Sequence, residues 1–298
     1  MPDSGASVLA KLKNKAKASG ISYQHCLQLF IQEEFLRRLS KSKYVNNFVL
    51  KGGLLIYNLT NFESRATVDV DFLLRGQSGS VIETVKLIDE ILMVSTENEY
   101  IKMESTGHRE ISPQREYKGV SIQITGRIKN VRVPFNIDIG IGDVIIPQPE
   151  LRRINTQLPD FEVPEINTYS LESTVAEKLD AILQRFELTG RMKDFFDIYY
   201  IARVFVFDGT ILKNAIFGTL QNRGTLYEKD SFKRIIELAK DTDMQTRWKY
   251  FLKNINNESL MFFDVINEIA EFLEPVYNAI IEESNWEKIW YCANRKWV

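Results

Sequence analysis

The chain is 298 residues long, 44% apolar and 26% charged, which supports a packed core and excludes wholesale disorder. Its formal net charge of -2 supplies no overall basic field of the kind that marks a nucleic-acid binder. The only cysteines, Cys26 and Cys292, stand at opposite ends, which excludes a disulfide framework and favours a reducing compartment.

No apolar run reaches the roughly 18 residues that a membrane helix needs. Lys11, Lys13, Lys15 and Lys17 are not followed by the apolar stretch of a secretory signal, so a cytoplasmic chain with no membrane partner is expected. Residues 7–41 read as helical: Leu9, Leu12 and Ala16 suggest a short amphipathic start, Gly20 breaks it, and Ser22 caps a second helix. In that helix Leu27, Phe30, Ile31, Phe35 and Leu39 recur at helical spacing. The four lysines form either a solvated face or an RNA contact. Next come a short buried strand from Phe48, the step Lys51-Gly52-Gly53 and a helix, then a strand over 68–74 and a helix over 80–93. Val120, Ile122 and Ile124 alternate, as do Val131, Val133, Phe135, Ile137 and Ile139, predicting neighbouring strands of a mixed or half-exposed sheet.

Pro147, Pro149, Pro159 and Pro164 crowd the stretch 144–168, where the domain boundary is placed: residues 1–160, then 161–298. Beyond it helices are predicted over 171–187, 192–206, 210–220, 230–240, 242–252 and 258–283. The expected fold is α+β (α/β): a mixed-sheet core with N-terminal helices, followed by an all-helical C-terminal domain.

The run Val68-Asp69-Val70-Asp71-Phe72 carries the chemistry. Aspartate is a poor strand former, and two at i and i+2 share one face. Such carboxylates repel unless a cation intervenes, and Mg²⁺ (or Mn²⁺) is held by one or two carboxylates with water and phosphates completing its shell. An edge strand with both aspartates in water accounts for the pattern as well. Upstream, Gly52 and Gly53 precede a helix whose free amides suit a phosphate, with Lys51 beside them; a plain turn is the alternative. Asp138 interrupts a second strand, and a third carboxylate there would let two metal ions share the site. Asp143 reads as a turn residue. With only His25 and His108, no histidine triad or zinc site can be built, and no Walker-type phosphate loop occurs. Trp286, Trp290, Tyr291 and Trp297 read as core or interface aromatics.

Leu50-Lys51-Gly52-Gly53, followed by Arg65-Ala66-Thr67-Val68-Asp69-Val70-Asp71-Phe72, resembles the first motif of the DNA polymerase β-type nucleotidyltransferases. More narrowly it resembles the AbiEii-type toxins of type IV toxin–antitoxin and abortive-infection systems. Asp138-Ile139-Gly140-Ile141-Gly142-Asp143 is similar to that family's second block. Ala176-Glu177-Lys178-Leu179, then Arg191-Met192-Lys193-Asp194-Phe195-Phe196-Asp197, is similar to the third and fourth. The interval from Gly53 to Asp69 is longer than in many members and admits a helix and loop. The resemblance implies a nucleotidyltransferase-type sheet core and transfer of NMP from an NTP to an acceptor hydroxyl, possible acceptors including the 3′ end of tRNA. It implies metal at Asp69, Asp71 and Asp138, and nucleotide contacts from Lys51, Gly52, Gly53, Arg65 and Lys178. Lys178 and Asp194 would be contributed by the helical domain, with Asp197 structural, capping or paired with Arg191 or Arg203. A cognate antitoxin is implied as partner. Two other readings stay open: a non-catalytic nucleotide-binding regulator acting by protein contact, and a small-molecule nucleotidyltransferase of the antibiotic-modifying kind.

Overall fold

The computed structural model of the chain describes residues 4–76, 80–111, 119–255, 257 and 259–298. They form two compact units, Met1–Gly142 with Glu150–Thr168, and Asp143–Pro149 with Tyr169–Val298. The proline-rich stretch therefore contributes to both units.

The first unit opens with α1 (Ser4–Ser19) and α2 (Tyr23–Lys41). There follow β1 (Phe48–Lys51), α3 (Gly52–Leu59), β2 (Val70–Leu74) and α4 (Val81–Leu92). The unit continues with β3 (Ile101–Ile111), β4 (Gly119–Ile128), β5 (Val131–Ile141), β6 (Glu150–Arg153) and β7 (Glu165–Thr168). The strands make one sheet in the order β3-β4-β5-β2-β1-β7-β6. Its pairs are antiparallel except β2 with β5 and β1 with β7, so the mixed sheet expected from the alternating runs is present. Val133, Phe135, Ile137 and Ile139 of β5 are buried, while Asn136 and Asp138 on the other face remain partly accessible.

Ser22 caps α2, its hydroxyl accepting from the His25 amide at 3.1 Å. The helix is more deeply enclosed than its apolar spacing predicts, since Glu33, Glu34, Arg37 and Arg38 are buried too. Burying these charges is tolerated because they are paired and hydrogen-bonded. Arg37 Nη1 lies 3.2 Å from Glu34 Oε2, and Arg38 Nε lies 3.3 Å from Glu34 Oε1. Thr96 Oγ1 and Asn98 Nδ2 donate to the same Glu34 carboxylate at 2.6 and 2.7 Å. Arg37 also donates to the Glu162 carbonyl at 2.8 Å, tying α2 to the segment before β7.

The second unit contains α5 (Leu171–Leu183), α6 (Met192–Val204), α7 (Gly209–Asn222), α8 (Ser231–Glu237), α9 (Thr242–Asn254) and α10 (Phe262–Ile281). Ser170, Asp208 and Asp241 cap α5, α7 and α9 through side-chain oxygens. The last helix was expected from residue 258, which lies outside the described residues. An all-helical second half needs correction: β8 (Phe207–Asp208), β9 (Ile289–Tyr291) and β10 (Lys296–Trp297) form a three-stranded sheet in the order β10-β9-β8. These strands are two or three residues long, too short for a period-2 pattern to emerge. Trp290 is fully buried among Phe272 and Trp297, in keeping with its reading as a core aromatic.

Candidate active site

The sheet of the first unit sets Asp71 and Asp138 abreast on adjacent parallel strands, β2 and β5. Asp71 is also in register with Lys51 on β1, and Asp138 with Ser121 on β4, which pairs in turn with Arg109 on β3. A single row across five strands thus reads Arg109, Ser121, Asp138, Asp71, Lys51. Residues directly paired across a sheet share a face. Both carboxylates consequently stand on the partly accessible face, opposite the buried side chains of β5. Arg109 and Ser121 escaped the sequence reading, because only strand register places them in this row.

Asp69 lies just outside the ladder, since β2 begins at Val70. Asn136 Nδ2 donates to its Oδ1 at 3.5 Å. Ahead of it, Gln28 and Gln32 of α2 both donate to the Val68 carbonyl, at 2.6 and 2.7 Å. Neither glutamine was singled out from the sequence, where each occupies an ordinary helical position.

Gly52 shows why the Lys51-Gly52-Gly53 step needs glycine. It sits at φ +72°, and a Cβ there would lie 2.1 Å from Asp71 Oδ2. The first turn of α3 therefore abuts the Asp71 carboxylate. At Gly53 an added Cβ would meet Thr67 Oγ1 at 2.8 Å and the Arg65 guanidinium at 3.3 Å. Lys51, Gly52, Gly53, Arg65, Asp69, Asp71 and Asp138 all belong to the first unit.

Burial raises the Asp138 carboxyl above the ordinary carboxylate range, and the Asp71 and Asp69 charges add to the rise. The Ser121 hydrogen bond and the Arg109 charge oppose it without cancelling it. Asp138 Oδ1 is buried and has no hydrogen-bond partner, an orphan acceptor of the kind a cation satisfies. Among the described residues, no group of three or more His, Cys, Asp or Glu side chains is arranged to hold a metal ion. A pair of carboxylates still suits Mg²⁺, which draws the rest of its shell from water and substrate phosphates.

In the second unit, Lys178 of α5 faces two carboxylates of α6. Its Nζ lies 2.5 Å from Asp197 Oδ2 and 3.4 Å from Asp194 Oδ1. Arg191 Nε reaches Asp194 Oδ2 at 2.5 Å. Burial pushes the Asp194 carboxyl up, but the Lys178 and Arg191 charges outweigh it and hold it below the ordinary value. Asp194 and Asp197, three residues apart, do share one helix face, as their spacing predicts. Asp197 pairs with Lys178, whereas Arg203 pairs with Glu268 at 2.7 Å. Asp143 accepts an ion pair from Arg223 at 2.8 Å, and so does more than turn the chain.

The sheet, its register and this carboxylate pair define the fold of a nucleotidyltransferase. The nucleotidyl transferase AbiEii toxin family of type IV toxin–antitoxin systems matches residues 34–273, and the chain belongs to that family. It is accordingly a nucleotidyltransferase enzyme of the toxin class, and its family implies an NTP substrate and an antitoxin partner. Among solved structures, the chain is similar to MenT4, a nucleotidyltransferase toxin from Mycobacterium tuberculosis H37Rv. That likeness has a TM-score of 0.56 at 17% identity, covering 92% of this chain and 99% of that one. JHP933 from Helicobacter pylori is also similar, with a TM-score of 0.51 at 12% identity, covering 88% of this chain and 95% of that one. At these identities the likenesses show the fold. No curated protein matches the sequence. No helix of the described residues is long and apolar enough to cross a membrane.

Proposed function

We propose that the chain transfers NMP from an NTP to an acceptor hydroxyl on RNA, with a divalent cation held by the Asp71 and Asp138 pair and Asp69 as a third carboxylate that the cation draws in. The observation carrying this reading is the in-register pair Asp71 and Asp138 with the orphan Asp138 oxygen between burial and the neighbouring carboxylates. When bound, Mg²⁺ or Mn²⁺ would neutralise charge on the triphosphate and lower the pKa of the acceptor hydroxyl. Asp138, in register with Asp71 beside that cation, is the carboxylate placed to favour deprotonation of the acceptor hydroxyl. Gly52 and Gly53 let the backbone of α3 come close to phosphate oxygens, with Lys51 and Arg65 supplying charge. Within the second unit, the Lys178 charge, held between Asp194 and Asp197, is the candidate contact for a nucleotide phosphate, with Asp194 organising it.

The 3′ end of tRNA is the acceptor this reading favours, because the family is one of toxins and a blocked 3′ end stops translation. Purified protein is incubated with total RNA, Mg²⁺ and each labelled NTP in turn. One labelled RNA band with one nucleotide is expected. Label on protein or on an aminoglycoside-type small molecule, with none on RNA, would overturn the RNA assignment and favour the small-molecule reading. NTP binding without any labelled product would favour the non-catalytic regulator.

A further inference from the structure

We propose that Gln28 and Gln32 are positioning residues for Asp69, holding the backbone that carries this carboxylate; the inference rests on the site reading given above. Asp69 has no ladder partner of its own, because the β2–β5 register starts at Val70 paired with Ile137. Its backbone must therefore be fixed by something other than the sheet. The Val68 carbonyl, one peptide ahead, receives two side-chain amides from successive turns of α2, Gln28 Nε2 at 2.6 Å and Gln32 Nε2 at 2.7 Å. Val68 as a whole is 57% exposed although its carbonyl is taken up by two buried amides, so the carbonyl faces inward while the rest of the residue faces outward. Burial preferences alone would favour the reverse arrangement. Satisfying the inward carbonyl with both amides fixes the peptide that leads directly into Asp69.

The two glutamines are themselves held. Gln32 is fully buried and Gln28 is 8% exposed, so neither amide has water to turn to as an alternative partner. Gln32 Oε1 is buried without a hydrogen-bond partner, so this side chain is in place for its donor end. Residues at i and i+4 share a helix face, which lets one helix deliver both donors to one acceptor. Both precede the span 34–273 that the family matches, giving the N-terminal part of α2 a role in the site.

The test compares Gln28→Met, Gln32→Met, the double variant and Asp69→Ala with the wild type. Methionine keeps the length of glutamine and removes the donor. Three quantities are read: Tm, Mn²⁺ affinity in the presence of a non-hydrolysable ATP analogue, and the Mg²⁺ concentration for half-maximal transfer. A lost supporting contact behind a metal-binding carboxylate weakens metal binding by about tenfold or more. That loss is expected in the double variant while it remains folded. Combining it with Asp69→Ala should add nothing further, because the glutamines act through Asp69. If the double variant does not fold, the single variants carry the same comparison, each expected to weaken Mn²⁺ by a smaller factor. A merely structural role would lower Tm and leave the metal affinity of the folded protein unchanged, which overturns the proposal. Weakened Mn²⁺ binding in Asp69→Ala but not in the glutamine variants overturns the positioning role alone. Unchanged Mn²⁺ binding in Asp69→Ala overturns the site reading beneath it.

Discussion

Replacing Gly52 by alanine adds one methyl group at the point where α3 meets the Asp71 carboxylate. The new Cβ would stand 2.1 Å from Asp71 Oδ2, 2.7 Å from Cγ and 2.9 Å from Cβ, where ordinary contact begins at 3.4 Å. The carboxylate must move by about 1 Å or more, and displacing a reacting group by that much costs on the order of 100-fold in rate. The residue also keeps φ +72°, where an L side chain costs about 1–2 kcal/mol. Gly20→Ala separates the two effects, since Gly20 has the same φ of +72° and nothing within 4 Å of its added Cβ. Both variants should lose a few degrees of Tm. Only Gly52→Ala should lose transfer, by about 100-fold in kcat. Label transfer from an NTP to RNA, followed beside thermal unfolding, reads both quantities. A Gly52→Ala protein that transfers at the wild-type rate would refute the placement of Asp71 at the reacting centre.

Other perturbations follow from the charges. Lys178→Met would take from the buried Asp194 and Asp197 the cation they share, leaving Arg191 on Asp194, a loss of at most about 3–5 kcal/mol. In the wild type the depressed Asp194 carboxyl stabilises the fold above the unfolded carboxyl pKa, and that stability is lost as pH falls through the lower folded value. The Tm deficit of the variant should therefore shrink on acidification as Asp194 protonates; a deficit independent of pH would contradict this. Asp138 has the opposite sign: its raised carboxyl costs stability when charged, and the cost is relieved as pH falls through the folded pKa. Asp138→Asn should raise Tm at neutral pH while abolishing transfer. Ser121→Ala removes the hydrogen bond that lowers the Asp138 pKa, so in the metal-free protein the pH window over which this cost is relieved should move to higher pH. Glu33 is pushed up by burial, from 4.5 to about 7, against the Arg37 charge. Its contribution is fully present below the unfolded value and lost as pH rises through about 7. Tm should fall over that window and flatten in Glu33→Gln; equal slopes would show that Glu33 stays ionised.

The strands that carry the carboxylates were legible because their apolar residues alternate or run together around a conspicuous aspartate. β3 was not: in Ile101–Ile111 only the first residue is buried, so this edge strand has no hydrophobic face to announce it. β6 and β7 are four residues each and sit among prolines, which disguised them as a traverse. The aspartates, the double glycine and Lys178 could be picked out as residue types in telling places. Ser121, Arg109 and Asn136 could not, because register alone brings them to the carboxylates. Gln28 and Gln32 illustrate a deeper limit: their donors reach a backbone carbonyl far along the chain, and a backbone atom has no signature in sequence. Lys178 shows the converse, since its two α6 carboxylates were visible as residues while the shared cation between them needed coordinates.

The central claim is that nucleotidyl transfer depends on the carboxylates of β2 and the residue before it. The most direct measurement is pyrophosphate release and label transfer from an NTP to RNA by the wild type, Asp69→Asn and Asp71→Asn, each confirmed folded by circular dichroism. The account predicts transfer by the wild type and none above background by either folded variant. Undiminished transfer by both folded variants would contradict it.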